Sequence, residues 1–115
     1  METKPMWQSQ FDLTTCPAAA IEQKIPPDAL GVAVIYEETP AGEKIFLVVE
    51  SRATALLDRC VKRLQTAKLP PLSSLMVSFK SEILPDAAPE TVYAACRQQV
   101  ILAGALRREL RPAMR

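Results

Sequence analysis

Three cysteines, Cys16, Cys60 and Cys96, are the side chains of this 115-residue chain that come closest to a catalytic nucleophile. Cys60 has cationic sequence neighbours, Arg59 and Lys62, which would favour its thiolate. The chain contains no histidine, so the Ser–His–Asp and Cys–His sites that activate such nucleophiles cannot be built. Cys60 and Cys96 fall on the apolar sides of predicted helices, where a thiol usually serves as a small buried hydrophobe. We expect Cys16, in an irregular segment, to be the most exposed of the three.

Carboxylates are the second group that could do chemistry. Glu37 and Glu38 are adjacent in a predicted strand, so their side chains point to opposite faces and do not form an acid–base pair. Glu38 and Glu43 could approach each other across a hairpin and bind a cation weakly, but hairpin ends are usually solvated. A small enzyme working through carboxylates or a cysteine is therefore the least favoured of three hypotheses, and we predict no catalytic residues.

Metal and cofactor sites are not indicated by the sequence. Three cysteines without a Cys-x-x-Cys pair cannot supply the four thiolates of a structural zinc site, and histidine ligands are lacking. The only glycines are Gly31, Gly42 and Gly104, which are too far apart for a phosphate-binding loop or a dinucleotide fingerprint. We predict no metal and no cofactor.

Basic side chains are concentrated in the second part of the chain. Residues 1–50 carry three basic and eight acidic side chains, whereas residues 51–115 carry eleven basic and five acidic ones. If two predicted helices covered the same sheet face, their cations could form one surface for nucleic acid or another polyanion. Aromatic residues make up only 5% of the chain, which offers few platforms for stacking bases, so this is the second hypothesis. The candidate residues are Arg52, Arg59, Lys62, Arg63, Arg107 and Arg111.

Length and composition indicate one globular domain. The chain is 49% apolar with a net charge of +1, which argues against disorder and permits one hydrophobic core. We expect no secretory signal, because residues 1–10 carry no basic segment followed by an apolar stretch. No apolar run approaches the roughly 20 residues that span a bilayer, so no membrane partner is expected. An odd number of cysteines argues against a disulfide framework, and we predict a cytoplasmic protein.

The periodicity of apolar residues predicts an α+β fold. Residues 1–28 read as an N-terminal arm, in which residues 7–13 could add an edge strand and residues 17–25 a short helix. Residues 29–115 read as a single domain with the order β-β-α-β-α. Its three strands, residues 30–38, 45–50 and 75–84, would form a mainly antiparallel sheet packed by two helices.

The two long helices are predicted at residues 51–68 and 89–110. Ser51 is expected to cap the first, in which Cys60 lies on the apolar stripe. Pro89 suits the first turn of the second, and Pro112 prevents its continuation. The expected core side of the second helix comprises Val92, Cys96, Val100, Ala103, Leu106 and Leu110.

The hairpin strands are apolar on both faces, which predicts that each face is covered. The N-terminal arm or a second subunit is expected to supply one cover. Ile101 lies opposite the core side of the last helix, beside small residues that allow close approach. Our first hypothesis is therefore a non-enzymatic interaction module, a small adaptor, chaperone-like or regulatory factor, that binds a protein partner or a second copy of itself as a homodimer. The interface candidates are Ile101, Gly104, Ala105, Arg97, Arg108, Trp7 and Phe11.

Overall fold

An antiparallel sheet of four strands forms the centre of the molecule. The computed structural model describes residues 6–51, 55–84 and 88–114. The strands within these ranges are β1 (Thr14–Pro17), β2 (Leu30–Thr39), β3 (Gly42–Glu50) and β4 (Leu75–Glu82). Their spatial order is β1-β4-β2-β3, and each neighbouring pair is antiparallel.

Four α-helices accompany the sheet in the described part of the chain. They are α1 (Met6–Gln10), α2 (Ile21–Lys24), α3 (Leu56–Thr66) and α4 (Pro89–Leu110), with 3₁₀ turns at Ala18–Ala20 and Leu72–Ser74. The predicted α+β class and the antiparallel sheet are confirmed. None of these helices is both long enough and apolar enough to cross a membrane.

The first face of the sheet is covered by α2 and α3. Ala33 and Ile35 of β2 point to this face, and their register partners on β3 and β4 join them in one apolar cluster. Leu56 and Cys60 of α3 are fully buried against this cluster. Cys60 thus lies on the core side of its helix, as the apolar periodicity predicts.

The opposite face of the sheet is covered by α1 and α4. Val32, Val34 and Tyr36 of β2 are fully buried there, together with Ala103 and Leu106 of α4. The chain therefore forms three layers, with helices on both sides of the sheet. Both faces of the hairpin are hidden by the chain's own elements, so the hairpin itself does not require a second subunit.

The predicted strand at residues 7–13 is wrong, because helix α1 occupies most of that range. The four-residue spacing of Trp7 and Phe11 also fits a helix, and the Phe11 amide donates to the Trp7 carbonyl at 3.1 Å. Asp12 then takes a left-handed conformation with φ of 56°, and the edge strand follows as β1. Leu13 and Cys16 from this segment are buried in the two apolar clusters.

Ser51 does not cap α3, which begins at Leu56 after Ala55. Its hydroxyl accepts a hydrogen bond from the Gly31 amide at 2.8 Å, and its own amide donates to the Gly31 carbonyl at 2.9 Å. Ser51 therefore links the end of β3 to β2, at the end of the hairpin away from its turn. A Cβ atom at Gly31 would lie 2.0 Å from the backbone oxygen of Lys80, so the close approach of β2 and β4 requires glycine here.

Candidate interaction surface on helix α4

The rotation of α4 about its axis differs from the prediction at one position. Ala103 and Leu106 face the core as expected, but Val100 is 54% exposed and Gln99 takes the buried position. Polar contacts hold this orientation on two flanks. Arg107 donates to the Val48 carbonyl at 3.0 Å, and the Gln99 side-chain amide donates to Glu82 Oε1 at 3.3 Å.

Helix α4 presents three large apolar side chains to solvent. Tyr93 is 67% exposed, Val100 54% and Ile101 60%. At about 100° per residue, Tyr93 and Val100 lie some 20° apart around the helix, and Ile101 lies on the same outer half. Large exposed apolar side chains that are grouped in this way mark interaction surfaces more often than scattered ones do. The sequence reasoning selected Ile101 but missed Tyr93, which lies eight residues, about two turns, earlier.

The other predicted members of this surface surround Ile101 on the same side of α4. Arg97 and Arg108 are exposed, and Gly104 and Ala105 are partly exposed. Five of the seven predicted interface residues therefore lie together on one helix. We call this side, with Tyr93 and Val100, the outer face of α4.

Gly104 stands in the middle of α4, where glycine costs about 1 kcal/mol relative to alanine. Beyond the backbone of α4 itself, the described atom nearest to a Cβ at this position is Arg108 Nη1, at 3.6 Å. This is an ordinary contact distance to the end of a flexible side chain. Packing within the described chain therefore gives no reason for glycine at this position.

A shallow groove of about 450 Å³ runs beside the outer face, between α4 and the end of β4. Its lining includes Ile101 and Ala105 from α4 together with Lys80 and Glu82 from β4. Gln99 also lines it, and its buried Oε1 has no hydrogen-bond partner among the described residues. The groove extends the apolar surface of α4 toward polar groups of the sheet.

Trp7 and Phe11, the other two predicted interface residues, pack into the second core. Trp7 is 9% exposed, and its ring meets Tyr36 edge to face with centroids 5.4 Å apart. Its indole N–H donates to Glu43 Oε1 at 3.1 Å. Phe11 packs against the same cluster and is partly buried. The structure therefore places these aromatic side chains against their own sheet rather than on the outer face of α4.

A buried polar cluster also joins α1 to the sheet, and the sequence reasoning missed it. The side-chain amide of Gln8 donates to the Tyr36 hydroxyl at 2.7 Å and to the Ser78 hydroxyl at 2.9 Å. Ser78 also exchanges a hydrogen bond with Thr15 at 2.7 Å. Gln8, Tyr36 and Ser78 are each at most 3% exposed, so the cluster has a structural role in positioning α1.

The predicted polyanion residues do not form one surface, because α3 and α4 lie on opposite sides of the sheet. The polyanion hypothesis depended on both helices covering the same face, and that condition is not met. Arg107 is engaged with Val48 and with Glu50, whose carboxylate lies 3.3 Å away. Arg59 and Arg63 are partly buried, Lys62 pairs with Asp58 at 3.0 Å, Arg111 is exposed, and Arg52 lies outside the described residues.

Cys16 and Cys60 are both buried thiols of the first apolar cluster. Cys16 is 3% exposed, which corrects its predicted exposure, because β1 directs its side chain into the first core beside β4. Burial raises the pKa of Cys60 to about 12, and the nearby Arg59 guanidinium offsets only part of this rise. Burial also raises the pKa of Cys16. No cluster of three or more Cys, Asp or Glu side chains suited to a metal occurs among the described residues.

Comparisons with family models, with curated proteins and with solved structures found no match to this chain. The fold and the outer face of α4 therefore define the class of protein by themselves: a small three-layer α+β protein with an apolar, arginine-flanked helix surface.

Proposed function

We propose that this chain is a non-enzymatic protein-interaction module that binds its partner through the outer face of α4. The observation that carries the proposal is the exposure of Tyr93, Val100 and Ile101 on a helix whose opposite side is packed in the core. Complete burial of one such side chain contributes about 1.5–3 kcal/mol, so covering three of them is a substantial driving force.

The residues around these side chains fit a protein partner. Arg97 and Arg108 are exposed beside Ile101, and arginine is enriched at protein interfaces, where its stem packs and its guanidinium stays hydrated. Gly104 and Ala105 would allow a partner backbone to approach α4 closely. A nucleic acid would need one continuous cationic surface, and the separation of the α3 and α4 cations on opposite sides of the sheet leaves that hypothesis with less support.

We propose a second copy of the chain as the partner, in a homodimer. The edge of β3 offers a less suitable surface for self-association, because the C-terminal tail already lies along it. The Ala113 amide donates to the Ile45 carbonyl at 3.1 Å, and the Met114 amide donates to the Phe46 carbonyl at 2.8 Å. Cys16 and Cys60 form no disulfide, which suits a reducing compartment, and we propose a cytoplasmic location.

The test compares Ile101→Asp with Ile83→Asp, a matched control because Ile83 is 53% exposed but does not lie on α4. We expect the wild type to form dimers at micromolar concentrations in analytical ultracentrifugation. Ile101→Asp should weaken dimerisation at least about tenfold, because a charge replaces a buried apolar contact. Ile83→Asp should dimerise like the wild type, and both variants should keep the wild-type circular dichroism spectrum.

Two outcomes would contradict the proposal. One is a wild type that stays monomeric at the highest concentrations. The other is an Ile101→Asp variant that dimerises as tightly as Ile83→Asp. Binding to a nucleic-acid duplex that falls steeply with salt, without dimerisation, would favour the polyanion hypothesis instead.

A further inference from the structure

Six residues on the outer face of α4 repeat with the spacing of a helix-pairing seam. They are separated by four, three, four, three and four positions, which is the alternation of a heptad. All six lie on the solvent side of the helix: Ile101 is 60% exposed, Gly104 is partly exposed and the others are exposed. The six residues are Glu90, Ala94, Arg97, Ile101, Gly104 and Arg108.

The positions of the six seam residues are symmetric about the midpoint of the seam. Its midpoint falls at the level of Gln99, whose side chain points to the opposite, buried side of the helix. Reversal about this midpoint exchanges Glu90 with Arg108, and it also exchanges Ala94 with Gly104. A two-fold axis at this level would therefore bring each residue of one helix against a different residue of its copy.

We propose that two copies of this chain pair through antiparallel α4 helices, with the two-fold axis at the level of Gln99. This inference rests on the proposed self-association and specifies its geometry. Glu90 of each copy meets Arg108 of the other, and Ala94 meets Gly104. Arg97 lays its aliphatic stem against Ile101 of the other copy.

Charge selects the antiparallel arrangement. Glu90 and Arg108 are 18 residues apart, or about 27 Å along the helix at 1.5 Å per residue. Antiparallel pairing therefore makes two separate contacts between opposite charges, whereas parallel pairing would set Glu90 against Glu90 and Arg108 against Arg108. The helix dipoles also oppose each other favourably in the antiparallel arrangement.

The small residues fit this antiparallel arrangement. Ala94 and Gly104 lie five positions on either side of the midpoint, so each helix presents a small side chain where its copy presents the other. Backbones can approach closely at both points. This gives Gly104 a role that packing within its own described chain does not supply.

The test is a charge swap, measured at low salt by analytical ultracentrifugation. Glu90→Arg alone and Arg108→Glu alone each turn both attractive contacts into repulsive ones, so each should weaken dimerisation about tenfold or more. The double variant, Glu90→Arg with Arg108→Glu in the same chain, restores both contacts and should dimerise as the wild type does. An equimolar mixture of the two single variants should form heterodimers of near wild-type affinity.

The outcomes separate this inference from the proposed function. A monomeric wild type would contradict self-association itself. A wild type that dimerises and responds to Ile101→Asp, but whose single charge variants also dimerise normally, would overturn the antiparallel geometry alone. A double variant as weak as the single variants would likewise overturn it. The rescue in the mixture also guards against misfolding, because it uses the same two chains that fail alone.

Discussion

Gly104→Ala is expected to stabilise the folded monomer while it weakens the dimer. The two effects have opposite signs because they depend on different surroundings of the same Cβ atom. Within one chain, the added methyl group meets only Arg108 Nη1, at 3.6 Å, among described atoms beyond the backbone of α4. Between chains, it enters the place where Ala94 of the second copy approaches.

The stability gain follows from helix propensity. Alanine in a helix interior is about 0.8–1 kcal/mol more favourable than glycine. With an unfolding entropy of roughly 2.1 cal/mol/K per residue, a gain of 1 kcal/mol raises the melting temperature of this chain by about 4 °C. Overpacking of a close contact costs about 1–3 kcal/mol, so two such contacts should raise the dissociation constant at least about tenfold.

The two effects are measured separately. Urea denaturation in an Ile101→Asp background reports monomer stability without a contribution from dimerisation. Ultracentrifugation of the otherwise wild-type chain reports association. Ala94→Gly is the converse control: it should lower monomer stability by a similar amount without weakening the dimer. If Gly104→Ala made the monomer less stable, the claim of open space around residue 104 would be refuted. If it left dimerisation unchanged, the claim that the two helices approach closely at this residue would be refuted.

Two further predictions concern the core. Gly31→Ala should lower the free energy of unfolding by about 4 kcal/mol or more, because its Cβ would lie 2.0 Å from the Lys80 backbone oxygen. Gly42→Ala, at a φ of 118° but with nothing within 4 Å, should cost only backbone strain, about 1–3 kcal/mol, in the same urea titration, and equal losses would contradict the crowding argument. Cys60 should make stability fall between pH 9 and about 12, because the unfolded thiol ionises first while burial keeps the folded thiol protonated. The wild type should lose about 1.4 kcal/mol per pH unit relative to Cys60→Ala in that range, and parallel stability curves would count against the burial effect.

Local patterns predicted most elements of the fold. The last helix was predicted at residues 89–110 and is observed as Pro89–Leu110, because proline marks its first turn and another proline follows its end. A run of residues that is apolar on both faces predicted β2, and alternating apolar residues predicted β4, with its end placed two residues too late. The N-terminal strand was placed too early, because a four-residue spacing of aromatic side chains satisfies a helix and an alternating strand equally well.

The candidate surface was predicted in part. Ile101 was selected because it lies opposite the apolar stripe, and this argument needs only the helical period. Val100 could not be assigned correctly in the same way, since it lies at the margin of the stripe. Its exposure depends on how α4 is rotated about its own axis. Contacts of Gln99 with β4 and of Arg107 with β3 determine that rotation, and both strands are distant in sequence.

The sequence by itself determined the α+β class, the length of α4 and the lack of histidine chemistry, because these depend on composition and on spacing between near neighbours. Only the tertiary structure decided that α3 and α4 lie on opposite sides of the sheet, which separates the cations and covers the hairpin from within. It also decided that Trp7 packs against Tyr36 and that Cys16 is buried. Those outcomes depend on which faces meet across the sheet, and contacts between residues far apart in the chain leave no periodic signal in the sequence.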